Sequence, residues 1–137
     1  MKAKFSTSWK GSAQVRKQRK YRHNAPLHLK QKMLHGNLSK PLREKYGLRN
    51  MQIRKGDKVK ILRGQFKKKE GKVDRVDLKD EKIFVTGLEI IKKDGNRILQ
   101  GISPSNAMII ELELSDHKRK MKVENKKINK TKKQESK

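Results

Sequence analysis

The sequence predicts a mostly β protein: a small five-stranded barrel with a basic N-terminal arm of short helices and a basic, disordered C-terminal tail. Three observations carry that prediction. Residues 51–114 hold 24 apolar side chains, whereas residues 115–137 hold only Met121, Val123 and Ile128. Within the middle, Val59 and Ile61 alternate with Lys58 and Lys60, the two-residue period of a strand with one buried and one solvated face. Turn residues separate such runs: Gly56, Gly64 and Gly71, then Asp94–Gly95, then Pro104-Ser105-Asn106.

Charge divides the chain in the same places. The arm, residues 1–50, has 14 Lys or Arg and a single acid, Glu44. The barrel, 51–114, has 15 basic and 10 acidic residues, and the tail, 115–137, has 10 and 3. The barrel segment lies near the lower size limit for independent folding. The tail has too little apolar surface to order unless bound.

In the arm, an uncapped helix is predicted over residues 12–20. Pro26 suits the first turn of a second helix and Gly36 its C-terminal stop. On that helix Leu27, Met33 and Leu34 share one face, with Lys30 and Lys32 pointing elsewhere. A third helical turn runs from Pro41 to a stop at Gly47. The arm should order against a partner rather than alone.

In the barrel, DKVKIL and EGKVDRVDL read as the first two strands. Val73 is out of phase with Val76 and Leu78, which predicts a bulge near Asp74–Arg75. Ile83 and Val85 follow a turn at LKDEK. Asp94–Gly95, between EIIKK and NRILQ, predicts a two-residue type I′ hairpin. The last strand places Met108, Ile110, Leu112 and Leu114 on one face and Glu111 and Glu113 on the other. Short antiparallel strands of this number favour a barrel, which removes exposed sheet edges.

The net charge of +25 calls for a polyanionic partner, and nucleic acid is the usual one. An anionic membrane surface would need a basic amphipathic helix, a pattern that no long stretch shows clearly. No apolar run approaches the roughly 18–20 residues of a membrane span. The N-terminus lacks the apolar segment of a secretory signal; being Ser-rich and acid-free, it leaves an organelle transit peptide as the alternative. The absence of cysteine excludes disulfides and thiolate metal sites and suits a reducing compartment. The chain reads as soluble and intracellular.

Catalysis finds no support. The acids lie in charge-alternating strands, and neither a nucleophile elbow nor a Gly-Lys-Ser/Thr phosphate loop is present. Of His23, His28, His35 and His117, only His28 and His35 could share a helical face, with no further ligand at metal spacing. No enzyme activity, cofactor, metal or small-molecule substrate is expected.

The basic blocks are the candidate binding residues. Arg16, Lys17, Arg19, Lys20 and Arg22 surround Tyr21 in a stretch without acids, and arginine offers a planar fork for phosphates. Tyr21 and Trp9 suit either stacking on unpaired bases or capping the barrel as apolar anchors. In the loop Arg63, Gly64, Gln65, Phe66, Lys67, Lys68 and Lys69, three consecutive lysines at a hairpin tip make a compact positive knob suited to phosphates. For the lysine-rich tail, a merely solubilising surface is an equal alternative.

RKQRKYRHNAPLHLKQKM in the arm, LREKYGLRNMQIRKGDKVKILRGQFKKKEGKV in the centre and SPSNAMII near the end occur in that order. Together they resemble the KOW-domain proteins of the large ribosomal subunit, the twenty-fourth of its universal series, in archaeal and eukaryotic form. The likeness spans roughly residues 14 to 112. It implies an SH3-like barrel opened by the KOW hairpin, and a structural, non-catalytic protein of the cytoplasmic ribosome. It also implies binding to large-subunit rRNA near its 5′ domain, early action in assembly, a place near the nascent-chain exit, and ribosomal proteins as neighbours.

Carried over by position, Arg16 to Arg22, His23, Asn24 and His28 would track rRNA backbone. The loop from Arg63 to Lys69 would insert between RNA elements, with Gly71 allowing the close hairpin return. Lys30, Lys32, Arg43, Arg49 and Lys55 complete the candidate set. Two positions depart from the family: Lys68 stands where glycine is frequent, and Ser103 where histidine is. The short tail leans archaeal. Two rival readings are a KOW module of a transcription elongation factor and a peptide-binding adaptor, the latter needing an aromatic groove from Phe66 and Phe84.

Overall fold

The computed structural model describes residues 5–124. A 3₁₀ turn, Thr7–Gly11, leads to helices α1 (Val15–Asn24), α2 (Leu27–Met33) and α3 (Lys40–Tyr46), and a fourth, α4, covers 117–124. The strands are β1 (His35–Leu38), β2 (Asn50–Gln52), β3 (Lys58–Ile61), β4 (Glu70–Asp77), β5 (Lys82–Ile91), β6 (Arg97–Ile102) and β7 (Ala107–Glu111). They form a seven-stranded sheet in the order β2-β1-β7-β3-β4-β5-β6. The fold is therefore mixed, with more strands than the predicted five.

Leu38 of β1, Met51 of β2, Val59 of β3, Val73 of β4, Ile83 and Val85 of β5, Ile102 of β6 and Ile109 of β7 all belong to one buried cluster. Residues at both edges of a sheet can share a core only if the sheet curls around it, which is roughly the geometry of a small barrel. The strand β4 makes the bend. Its start pairs with β3, its end with β5, and the register shifts between Val73 and Arg75, at the bulge the sequence predicts.

The two additional strands correct the reading of the arm. Helix α2 stops at Met33, and Gly36 lies inside β1, antiparallel to β2 and continuous with a parallel pairing of β1 on β7. A Cβ at Gly36 would stand 2.7 Å from Ile53 Cδ1, so this glycine serves close packing rather than a helix end. Helix α3 does end as predicted, on Gly47 at φ 65°, whose N–H donates to Arg43 O.

Two further expectations change. In β7, Ala107 and Ile109 are buried while Met108 and Ile110 are only half-buried, the reverse of the predicted face. Opposite β3, Lys58 pairs with Glu111 and Val59 with Ile109, so Ile110 is an extra residue that flips the parity. Only beyond it do Leu112 and Leu114 pack on the core.

The β5–β6 turn is also not type I′. Lys92 N donates to Asn96 O at 2.9 Å and Gly95 N donates to Lys92 O at 3.0 Å, enclosing a three-residue loop. Gly95 has φ 78° while Asp94 has no positive φ, and a type I′ turn needs both.

The largest correction concerns the tail. Residues 117–124 are helical and docked, with Val123 in the core cluster. Asp116 caps this helix, its Oδ1 accepting from Lys118 N at 3.0 Å. Arg119 is 4% exposed and meets Asp57, which is fully buried, through two bonds of 2.7 Å. Arg119 also donates to Glu113 O and Gln52 O, while Asp57 accepts from Arg54 N and Glu113 N. Both charged groups thus gain hydrogen bonds beyond their own pairing, the condition under which a buried ion pair is tolerated. Because Gln52 lies on the edge strand β2, the arginine also covers that edge. The expected disorder of the tail beyond residue 124 lies outside the described residues.

Candidate nucleic-acid interface

Helix α1 contains no buried residue and no acid in its first turn, so its side chains are a basic surface rather than a core face. Arg16, Arg19, Lys20 and His23 are exposed, and Lys17, Tyr21 and Asn24 are half-buried. His23 Nδ1 lies 3.1 Å from Asn24 Oδ1. Arg22 turns back on the protein and pairs through its fork with Glu81. Lys30 is buried, and its Nζ donates to Lys79 O at 2.7 Å. The arm is therefore held on the turn between β4 and β5 by two of the residues predicted for RNA.

That turn is built to receive them. Asp77 Oδ1 accepts from Lys79 N at 2.8 Å and Asp80 N at 3.1 Å. The hydrogen bond from Asp80, with that from Lys79 and the charges of Arg75 and Lys79, holds the Asp77 carboxyl below its usual range. Glu81, at φ 53°, keeps a left-handed conformation while its carboxylate meets Arg22.

Residues 63–69 form the second basic element. Lys67, Lys68 and Lys69 are exposed, as predicted, and so are Arg63, Gly64 and Gln65, but Phe66 is 8% exposed and belongs to the core. Around this anchor, Lys67 N donates to Gly64 O, Lys69 N to Phe66 O, Lys68 N to Ile61 O and Ile61 N to Lys69 O. Gly64 has φ 92° and Lys68 has φ 73°, a left-handed value at which a side chain is strained and glycine is not. Lys69 Nζ lies 5.2 Å from the Phe66 ring centre. The lysines thus project from a short, internally bonded platform, which presents charge without the entropy loss of ordering a floppy loop.

Gly71 has no positive φ. A Cβ there would meet Thr86 O at 2.6 Å and Val85 Cγ1 at 2.7 Å, so it allows β4 to approach β5. Of the remaining candidates, His28, Lys32, Arg43, Arg49 and Lys55 are exposed. Arg43 Nε donates to Leu38 O at 2.6 Å, and Lys55 Nζ lies 3.9 Å from Asp74. Phe84 lies under the Arg75 guanidinium, 4.1 Å from its ring centre, and Phe66 is internal, so these two make no aromatic groove for a peptide.

The residues that sequence reading missed are those that bind the chain to itself. Glu81 as the acceptor of Arg22, and Arg119 with Asp57, carry no local signal, since each is one charged residue among many and its partner lies far along the chain. Among the described residues no His, Cys, Asp or Glu group could hold a metal, and no helix is long and apolar enough to cross a membrane.

Residues 12–126 match the model of a protein family described as ribosomal proteins, L26 in eukaryotes together with the archaeal counterparts in the L24 series. A large ribosomal subunit protein uL24 from Methanospirillum hungatei is 46% identical over 112 residues, covering 82% of this chain and 93% of the relative. The uL24 protein of Methanocorpusculum labreanum is 45% identical over 113 residues, covering 82% and 93%.

Proposed function

The chain belongs to this family of eukaryotic and archaeal ribosomal proteins, and from that premise we propose that it is a structural constituent of the large ribosomal subunit. In this reading it binds large-subunit rRNA near the 5′ domain, helps early assembly, and lies near the nascent-chain exit in the cytoplasmic ribosome. Other large-subunit proteins are its neighbours. It has no catalytic role and needs no cofactor.

The observation that carries the reading is the family match across residues 12–126, which takes in α1 and the 63–69 platform together. Two features support it physically. Exposed Arg16, Arg19 and Lys20 line a helix free of acids, and exposed Lys67, Lys68 and Lys69 sit on a pre-formed tip. Both suit phosphate contacts, which position a protein on RNA without reading sequence. Lys30 and Arg22 act at one remove by fixing the arm on the barrel. The elongation-factor alternative gains no support from the family match.

The test is sedimentation of cell extract in high salt, following the chain by mass spectrometry. Co-sedimentation with the large subunit is expected of an integral constituent. Migration with RNA polymerase, or release to the light fractions, would overturn the reading.

A further inference from the structure

Among the described residues two clefts flank α1, and they differ in what lines them. One, against the β4–β5 turn, has Asp80 and Glu81 in its wall beside Arg19, Arg22, Lys30 and Lys79, and no Phe, Tyr or Trp ring. The other lies between α1, α2 and the Thr7–Gly11 turn and has a volume of about 630 Å³. It is lined chiefly by Lys10, Tyr21, Arg22, Leu29, Lys32 and Met33, and none of its lining residues is acidic. Phe5 backs Tyr21, with ring centres 5.1 Å apart and planes tilted by 43°. Here Tyr21 of α1 presents an aromatic ring and Leu29 and Met33 of α2 an apolar floor, in a cleft whose charged lining residues are all cations.

We infer that this second cleft is a site for one unpaired nucleotide of the bound RNA, the base lying against Tyr21, Leu29 and Met33 and its phosphates against Lys10 and Lys32. The inference rests on the rRNA-binding reading and deepens it. A paired base is closed off inside the duplex, whereas an unpaired one offers a planar, largely apolar face with an anion attached. The cleft matches both halves of that ligand, and its volume lies in the range of small-ligand sites, about 300–1,000 Å³. The first cleft does not match, because no Phe, Tyr or Trp ring lines it and its cations share the wall with Asp80 and with Glu81, the partner of Arg22. A purely electrostatic arm would need neither the ring nor the apolar floor.

The experiment measures full-length protein binding to two RNAs of equal length, one a perfect duplex and one carrying a single-nucleotide bulge, across a salt series. Wild type should prefer the bulged RNA, and Tyr21→Leu should lose about tenfold on the bulged RNA alone, with an unchanged salt slope. Tyr21→Phe should retain the preference, which separates stacking from misfolding. Lys10→Ala with Lys32→Ala should lower the salt slope on the bulged RNA. Equal affinity of wild type for both RNAs, or a Tyr21→Leu loss shared by both, would overturn the inference while leaving rRNA binding intact. Salt-independent binding, or none, would overturn the underlying reading as well.

Discussion

Two hairpin ends of this sheet carry basic residues: the β3–β4 loop over residues 63–69, and the β5–β6 tip with Lys92, Lys93 and Arg97. In the first, the one large apolar side chain turns inward, and Phe66 joins the core. In the second, the strands run past the core, leaving Ile90, Ile91 and Ile98 exposed. Ile90 faces Ile98 across the ladder, and Ile91 faces Arg97. The first end shows only charge on a fixed platform. The second mixes charge with an apolar surface on a two-stranded extension, and strands of that kind are marginal when isolated. Basic hairpin tips are thus not equivalent; whether a core lies beneath them decides what they can present.

Removing the anchor puts this contrast under the greatest load. Phe66→Ala should destabilise the protein by about 3–5 kcal/mol in urea unfolding, whereas Ile91→Ala, at a residue 65% exposed, should change stability by no more than about 0.5 kcal/mol. Similar losses at the two sites would mean that the tips are equally supported.

Changing Lys67, Lys68 and Lys69 together to Ala should leave the fold intact and lower the slope of log K against log salt in RNA binding by about 2–3. A product that unfolds would show that the lysines hold the platform together instead of extending from it. A finer test is Lys68→Gly, which relieves the left-handed strain at φ 73°. It should raise stability by roughly 0.5–1 kcal/mol, since glycine's greater unfolded-state entropy offsets part of the relief, and it should cost one phosphate contact.

The smallest effect concerns neither tip and so serves as their control. The hydrogen bond from Arg54, with the N–H of Lys118, holds the Asp116 carboxyl below its usual range. A carboxylate depressed in the folded state contributes stability that is present above its unfolded pKa, about 3.9, and is lost as pH falls through the lower folded value. Hydrogen exchange should therefore show α4 loosening first at its N-terminus on acidification below about pH 4, with residues 63–69 unchanged. Simultaneous loosening of the platform would show that the two are coupled.

Much of the barrel, and the end of α3 in the arm, was legible because the signals are local. The alternation in 58–61, the phase slip at Val73 and the stop at Gly47 each depend on neighbours a few residues away, and each appears where the pattern places it. The parity of β7 was not legible, because the extra residue at Ile110 shows only against β3. The site divides the same way. Exposed lysines on 67–69 follow from their number and setting, but the inward turn of Phe66 depends on a core assembled from distant strands.

Composition, short-range periodicity and motif order all survive in one dimension, so the charge, the positions of most turns and strands, and the family followed from the residues alone. The folded molecule was needed to show that β1 and β2 extend the sheet, that Arg22 and Lys30 tie the arm to the barrel, and that Arg119 seals α4 onto Asp57. The reason is that the residues beside a charged side chain do not say whether it will stay in solvent, meet a polyanion or find an internal partner that offsets its desolvation. That choice is made by whether an opposite charge or a free carbonyl is brought within hydrogen-bonding distance where water is excluded.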